Sequence, residues 1–262
     1  MSSSPSLSVV IVAKNEAHNI EECVSSARFA SEVLVLDSGS TDATAELARR
    51  AGARVVLTDW PGYGPQVRRA IQMARSDWVL SLDADERITP TLRQEILQAI
   101  ASGAHDGWRI PRLSEFCGRF IHHGGWRPDA TLRLCRRSKA GFTDHVLHAH
   151  MTIDGSQGAL SESLVHYSYP DLSDVLAKLD RYSSAGARDM QAHGRHGGIV
   201  AALLHGAWAF VRTYVLRLGF LDRGHGLMLA IYNAEYAYYK YLKLMFLERP
   251  AARPALPEAA TR

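Results

Sequence analysis

The stretch Trp78-Val-Leu-Ser-Leu-Asp-Ala-Asp-Glu86 decides how the chain is read. An uncharged run closed by two carboxylates one residue apart reads as a strand buried on both faces, releasing Asp83 and Asp85 at its C-terminal end. Open α/β sheets bind their ligands outside the carboxyl ends of the strands. Two carboxylates that close repel unless a cation lies between them, and a hard divalent ion that also holds phosphate oxygens is the usual solution. A strand finished by two solvated Asp residues would look the same in isolation.

Working outward, Ser8-Val-Val-Ile-Val-Ala13, Glu32-Val-Leu-Val-Leu-Asp37 and Ala53-Arg-Val-Val-Leu57 are three earlier strands. Between them lie helical patterns: the stripe Ile20, Val24, Ala27, then residues 41–50 with Gly52 as a C-terminal cap, then residues 66–74. After the carboxylates, Thr89 and Pro90 read as an N-cap and first helical position, with Gly103 near the stop. This alternation predicts βαβ units and an α/β, Rossmann-like, mostly parallel sheet. Residues 107–169 change to short β-prone runs rich in Gly, His and Arg. Residues 173–247 form three helical patterns broken near 194–198 and 221–226. The expected organisation is a catalytic domain over 1–170 that includes an acceptor-side β segment, an appended helical C-terminal region over 171–249, and a disordered tail over 250–262.

The bulk numbers bound the partners. The chain has 262 residues, 47% hydrophobic and 22% charged, with a net charge of +3. That balance suits anionic substrates or a membrane surface and is too weak to imply nucleic acid. Cys23, Cys117 and Cys135 form no CxxC pair and fit a reducing compartment. The opening Met-Ser-Ser-Ser-Pro lacks a basic n-region, and Lys14 breaks the apolar run after it, so this run reads as a strand and not as a signal peptide. The apolar residues 197–211, closed by Arg212, fall short of the roughly 20 that a spanning helix needs.

Four polar signals follow the four early strands: Asn15 and Glu16; Asp37 to Asp42; Asp59-Trp-Pro-Gly-Tyr-Gly-Pro-Gln66; and Asp83 with Asp85. In a parallel sheet these ends share one edge, so the signals converge on one crevice. In the second, Gly39 eases a tight turn and Ser40 and Thr41 are available to cap the next helix, which leaves Asp37 to accept hydrogen bonds from a ligand. Neither a GxGxxG fingerprint nor a P-loop is present.

Ser8-Val-Val-Ile-Val-Ala-Lys-Asn-Glu16, Asp37-Ser-Gly-Ser-Thr-Asp42 and Leu82-Asp-Ala-Asp-Glu-Arg-Ile-Thr-Pro90 together resemble the family-2 glycosyltransferases of the GT-A fold. Within that family, Gly124-Gly-Trp-Arg-Pro-Asp-Ala-Thr-Leu-Arg-Leu134 and Gly219-Phe-Leu-Asp-Arg223 look like the bacterial lipopolysaccharide-core glucosyltransferase branch. The resemblance spans residues 7–247. It implies inverting transfer of a sugar from a nucleotide-sugar donor, UDP-glucose, to a growing glycolipid. It would place Glu16 and Asp37 on the uridine, Asp83 on the ribose or donor sugar, and Asp85 on a Mg2+ or Mn2+ ion bridging the diphosphate. Ala13, Asn15 and Ala84 would complete the nucleotide-sugar site, and Gln66 and Arg68 would reach the diphosphate. The branch carries a basic residue directly after the Gln, where this chain has Val67.

An inverting transferase also needs a general base for the acceptor hydroxyl. The branch shows a His-Glu pair where this chain reads Val146-Leu-His-Ala149, so His148 is kept and alanine stands at the carboxylate position. Asp129 and Asp144 are the candidate bases. Asp129 is favoured because Trp126 and Pro128 would wall it and lift its pKa; a turn residue or a partner of Arg133 is the plainer reading of the same Asp129. The histidines at 122–123 and at 145, 148 and 150 have no HExxH or Cys/His spacing and suit a surface or acceptor cleft better than zinc.

Residues 190–249 hold seven Lys/Arg (Arg195, Arg212, Arg217, Arg223, Lys240, Lys243, Arg249) against Asp222, Glu235 and Glu248, interleaved with aromatics that include a Tyr232, Tyr236, Tyr239 stripe. Basic, aromatic-rich amphipathic helices read as membrane-surface elements, here peripheral on the inner, cytoplasmic face of the membrane beside a lipid-linked acceptor. Binding by charge would be reversed by high salt. Two other readings stay open. A haloacid-dehalogenase-type phosphatase also places Asp-x-Asp after a strand, although here three strands precede the pair and no Gly-Asp dipeptide exists. A decayed nucleotide-sugar-binding protein is motivated by Ala149.

Overall fold

Strict alternation of buried side chains organises the first half of the chain. In β1 (Leu7–Ala13), Val9, Ile11 and Ala13 enter one core and Val10 the other. β2 (Glu32–Asp37) divides Val33 and Val35 from Leu34 and Leu36 in the same way, and β4 (Trp78–Asp83) divides Trp78, Leu80 and Leu82 from Val79. Successive strand side chains point to opposite faces, so a sheet covered on both sides needs the unbroken apolar runs seen in the sequence. One face is covered by α1 (Ile20–Ser26), α2 (Thr44–Arg50) and α4 (Pro90–Ser102), the other by α3 (Tyr63–Met73).

The computed structural model describes residues 5–143 and 150–248. Asp144, His148, Ala149 and the expected tail 250–262 lie outside the described residues. The chain divides into two compact units, Met1–Pro170 and Asp171–Arg262.

With β3 (Arg54–Leu57), β5 (Glu86–Arg87), β6 (Gly107–Phe116), β8 (Asp129–Arg136) and β12 (Leu164–His166), the main sheet runs β3-β2-β1-β4-β8-β6-β12-β5. The βα-alternating part, β3-β2-β1-β4, is wholly parallel. Beyond it the sheet is mixed: β8 is antiparallel to both β4 and β6, while β12 is parallel to β6 and antiparallel to β5. β7 (Arg119–Phe120) and β11 (Gln157–Ala159) attach to β6, and β9 (Ala140–Phe142) pairs with β10 (Met151–Ile153) against the α3 side. β1 has β2 on one side and β4 on the other, which makes its C-terminal end the switch point where such sheets bind ligands.

The helix signals were mostly legible. The Thr89 hydroxyl caps α4 by accepting from Leu92 N–H, Pro90 is first in the helix, and Gly103 ends it in the left-handed region. Gly64 is required for a different reason: a Cβ there would stand 2.8 Å from the Thr143 carbonyl oxygen, so glycine lets α3 press against β9. Ser40 and Thr41 do not cap α2, correcting the expectation. That helix starts at Thr44, whose backbone N–H donates to the Asp42 carboxylate.

Glu32 fastens the edge opposite the ligand end. Its carboxylate accepts from Ser8 Oγ at 2.7 Å, Arg75 N–H at 3.0 Å and Arg54 Nε at 2.9 Å. Burial pushes the carboxyl up, but these hydrogen bonds outweigh it and hold the pKa below the ordinary value of 4.5. A lowered folded pKa gives stability that is full above the unfolded value and lost as the pH falls through the folded one. Glu32→Gln is therefore expected to cost about 2 kcal/mol at neutral pH, with the difference from wild type closing as urea unfolding is repeated at pH values below 4.5. A pH-independent difference would refute the linkage.

The second unit consists of α5 (Leu172–Ala192), α6 (Ile199–Val211) and α7 (Arg223–Glu248). α6 does not stop at Arg212, as the sequence reading expected. It continues through a π-helical turn, Arg212–Leu216, so the apolar helix is Ile199–Leu216, 18 residues of mean hydropathy 1.5 that are only 22% buried. By length and composition alone it is apolar enough to cross a membrane. Gly206 packs it on α7, where a Cβ would meet the Ala234 carbonyl oxygen at 3.2 Å. Lys243 and Lys240, counted among lipid-facing bases, are used inside this unit. Lys243 Nζ donates to Asp180 and to the Ser183 and Ser184 hydroxyls, and Lys240 lies over the Tyr236 and Tyr241 rings.

Candidate active site

The loops after β1 and β2 are laced together. Asn15, at φ 57°, donates its N–H to Ser40 Oγ (2.9 Å) and accepts from Thr41 N–H on its own Oδ1 (2.8 Å). Glu16 N–H donates to Thr44 Oγ1, and the Glu16 carboxylate accepts from the Asn19 amide at 3.0 Å. Ala13, buried at the end of β1, accepts from Ser38 N–H through its carbonyl. Asn15 thus fixes the crevice wall, with its side-chain oxygen already engaged by Thr41.

Asp37 ends β2 beside Ala13 and is buried. One of its oxygens is used by the protein: Oδ1 accepts from Gly39 N–H (3.1 Å) and Ser40 N–H (2.9 Å), an Asx turn made possible by Gly39 at φ 81°. Its other oxygen, Oδ2, is buried and has no hydrogen-bond partner among the described residues. A buried acceptor left unmatched is costly and calls for a donor from outside those residues.

Gln66 and Arg68 look elsewhere than expected. Gln66 is fully buried, and its amide NH2 donates to Ser38 Oγ (2.9 Å), Thr58 Oγ1 and the Asp59 carbonyl (3.2 Å), bracing the Asp37 turn from below. Arg68 donates to the Phe142 carbonyl at 2.9 Å. Asp59 pairs with Arg69 at 2.6 Å.

At the end of β4 the two carboxylates separate. Asp83 accepts from the Tyr63 hydroxyl (2.5 Å) and Arg133 Nη2 (2.8 Å). Burial alone would raise the Asp83 carboxyl, but the Arg133 guanidinium, joined by the Tyr63 hydroxyl, holds it well below the usual carboxylate range. Burial and the adjacent Asp83 charge push the Tyr63 phenol up. Ala84 is buried, and its carbonyl accepts from Arg87, which also packs over the Tyr167 ring and stiffens the turn.

Asp85 faces His166, with Oδ2 and Nε2 3.3 Å apart. Sheet register explains the meeting: β5 directly follows Asp85 and pairs His166 with Glu86, while β6 pairs His166 with Ser114. Ser114 Oγ lies 3.0 Å from His166 Nδ1 and fixes the ring, leaving Nε2 toward Asp85. The Tyr167 N–H donates to the Asp85 carbonyl and locks the backbone. Sequence reasoning missed His166, Arg133, Tyr63 and Ser114. The roles of His166, Arg133 and Ser114 come from strand pairing and that of Tyr63 from its place at the start of α3, and the only signal available was the chemistry of the side chains.

Glu86 is fully buried. It accepts from Asp83 N–H (2.9 Å) and Arg133 (2.9 Å), and burial pushes its carboxyl above the usual range against the pull of Arg133. Arg112 Nη1 approaches Glu86 at 3.9 Å while Nε and Nη2 fork the Asp129 carboxylate. The result is a ladder Asp83–Arg133–Glu86–Arg112–Asp129. Asp129 is therefore paired with Arg112, not Arg133. Trp126 packs edge-on against Phe116 and beside Tyr169. Asp83, Asp85 and Asp129, with the Glu86 carboxyl whose charge burial disfavours, are answered by two guanidiniums, which leaves Asp85 without an arginine partner and able to take a cation.

Asp85 and His166 fit a divalent ion: one carboxylate and one imidazole held by a partner, the arrangement in which an outer group orients a metal ligand. Among the described residues no group of three or more His, Cys, Asp or Glu could hold a metal. Two protein ligands with the remaining positions left to water and phosphate suit Mg2+ or Mn2+.

Several known proteins are similar to this chain. A 28% identical relative is the lipopolysaccharide core biosynthesis glycosyltransferase LpsC of Rhizobium meliloti, aligned over 97% of both chains. An uncharacterized glycosyltransferase of Rickettsia bellii is 28% identical over 91% of this chain and 84% of its own. Glucosyl-3-phosphoglycerate synthase of Mycobacterium tuberculosis, solved with Mn2+, UDP and glucosyl-3-phosphoglycerate, is 28% identical, covering 42% of this chain and 44% of that one at a TM-score of 0.37. Residues 8–150, more than half the chain and including Asp37, Asp83 and Asp85, match the model of Glycosyl transferase family 2, and the chain belongs to that family.

Proposed function

We propose that this chain is an inverting, metal-dependent glycosyltransferase that moves a hexose, glucose, from a UDP-sugar to a lipopolysaccharide-core or related glycolipid. The observation that carries the donor assignment is the unpartnered buried Oδ2 of Asp37, an acceptor matched to a uracil N–H, on the same sheet edge as the Asp85–His166 pair. Glu16 borders the same wall. Mg2+ or Mn2+ held by Asp85 and His166 would neutralise charge on the departing diphosphate. Asp83, fixed by Tyr63 and Arg133, is positioned to orient the donor's ribose or sugar. Asp129 serves as the general base, with Arg112 setting its orientation, and Trp126 forms part of the acceptor side. Asp144 and His148, the other acceptor-side candidates, lie outside the described residues. The name of the Rhizobium relative supports the acceptor class.

The test is transfer of labelled glucose from UDP-glucose, with Mn2+, to a deacylated or intact lipid-core acceptor. Acceptor-dependent transfer is the expected result. Donor binding without turnover would favour a decayed binding protein instead.

The second unit supports a cytoplasmic enzyme seated on the inner face of the membrane, by a different force than charge alone. Val200, Leu204, Trp208, Val215, Leu216 and Leu218 are all exposed on α6 and just past its end, with Val200 at 70%. Arg212, Arg217 and Arg223 are exposed along the same stretch, while Asp222 is buried. An apolar face edged by bases and no exposed acid fits an anionic bilayer surface. Protein floated with anionic liposomes is expected to stay bound in about 1 M NaCl, where charge is screened within about 3 Å, and to be released by Leu204→Asp with Trp208→Glu. Release by salt alone would return the contact to electrostatics.

A further inference from the structure

Resting on the glycosyltransferase reading, we infer that a cleft between β6, β8 and β10 is a subsite for an oxyanion, a carboxylate or phosphate, carried by the acceptor saccharide. The cleft has a volume of about 740 Å3 and is separate in composition from the donor edge. Among the described residues, its charged or ionisable lining is Arg109, Arg112 and His150, with no Asp or Glu. Clefts of this size take a small ligand, and polar groups in them fix its orientation.

The two arginines differ in what they have left to give. Arg112 spends Nε and Nη2 on Asp129 and leans toward Glu86 through Nη1, yet a guanidinium carries five N–H donors. Arg109 is exposed, and its guanidinium has neither ion pair nor hydrogen bond among the described residues. A fork of unspent donors matches carboxylate or phosphate geometry better than it matches a neutral hydroxyl. The rest of the lining suits a sugar: Leu132 and Met151 give an apolar floor, and Thr131 and Thr152 add hydroxyls.

Position ties the cleft to the chemistry. Arg112 belongs both to the cleft lining and to the Asp129 pair, so an anion seated on Arg109 and Arg112 would bring the acceptor alongside Asp129. The phosphates of the donor have their own place at Asp85 and His166, across Glu86 from Arg112. An acceptor with an acidic group near its reacting hydroxyl would thus be selected over a neutral one by its charge.

Calorimetric titration of the full chain, with UDP and Mn2+ present to fill the donor site, can test this with three probes: glucose, glucuronate and glucose 6-phosphate. One or both acids should bind at least about tenfold tighter than glucose; glucuronate alone identifies a carboxylate and glucose 6-phosphate alone a phosphate. Arg109→Gln should bring acid affinity down to that of glucose, and Arg109→Lys should restore part of it. Thermal melting of each variant checks folding, which an exposed side chain should leave unchanged. Equal affinity for glucose and the acids, acid binding unaffected by Arg109→Gln, or displacement of the acids by UDP would overturn the subsite. UDP is titrated first in the same series: if UDP itself does not bind, the UDP-sugar donor reading fails, whereas UDP binding without acid binding removes only the subsite.

Discussion

Asp85→Ala is expected to lower acceptor-dependent sugar transfer about a thousandfold, equivalent to about 4 kcal/mol of transition-state stabilisation, while the fold survives. The effect is large because charge develops on the diphosphate as it leaves, and the proposed ion at Asp85 and His166 is what answers it. Folding is spared because the Asp85 side chain is partly exposed and its contribution to the sheet is its backbone carbonyl, which accepts from Tyr167. Ser114→Ala should be milder, lowering apparent Mn2+ affinity about tenfold through loss of the His166 orienting contact. Steady-state rates over a Mn2+ series separate the two. Near-wild-type turnover in Asp85→Ala would remove it from the metal site.

The second large effect is on stability. Arg133 Nη2 touches both Asp83 and Glu86, at 2.8 and 2.9 Å, and Glu86 has no exposed side-chain surface. Arg133→Met keeps the length of the side chain and removes its charge, leaving two close carboxylates without their shared partner. Breaking a buried pair in this way costs about 3–5 kcal/mol, because the stranded charge has lost water as well as its counterion. Urea unfolding should show that loss, and adding Glu86→Gln to Arg133→Met should recover part of it by removing one stranded carboxylate. A loss under about 1 kcal/mol would mean that the ladder is solvated and contributes little.

The parts of this molecule that could be read from sequence are those set by local periodicity. The apolar runs through Val9, Leu34 and Leu80 alternate between two cores, and Thr89-Pro90 and Gly103 bracket a helix, because neighbours a few residues apart determine those outcomes. The edge bearing Asp37, Asp83 and Asp85 was legible for the same reason, as parallel strands deliver their ends together. His166, Ser114 and Arg133 were not legible. Each reaches the site through register with a strand far away in sequence, and spacing carries no record of register. The spare acceptor on Asp37 was legible, but the turn that its other oxygen closes was not, although Gly39 two residues on is the signature of such a turn. Gln66 was misread because its neighbours on one helix face, Val67 and Ala70, are buried with it. In the C-terminal unit, counting bases could not tell Lys243, which donates to Asp180, from the exposed Arg212 and Arg217.

The central claim is that the strand edge from Asp37 to Asp85 is a metal-assisted uridine diphosphate site. Calorimetric titration of UDP into the wild-type chain, once with Mn2+ and once with EDTA, addresses it directly. The account predicts that Mn2+ tightens UDP binding at least about tenfold, since an ion that Asp85 and His166 would hold, and that would neutralise diphosphate charge, would favour the complex over the free protein. UDP binding of equal strength with and without the metal, or no UDP binding at all, would contradict it.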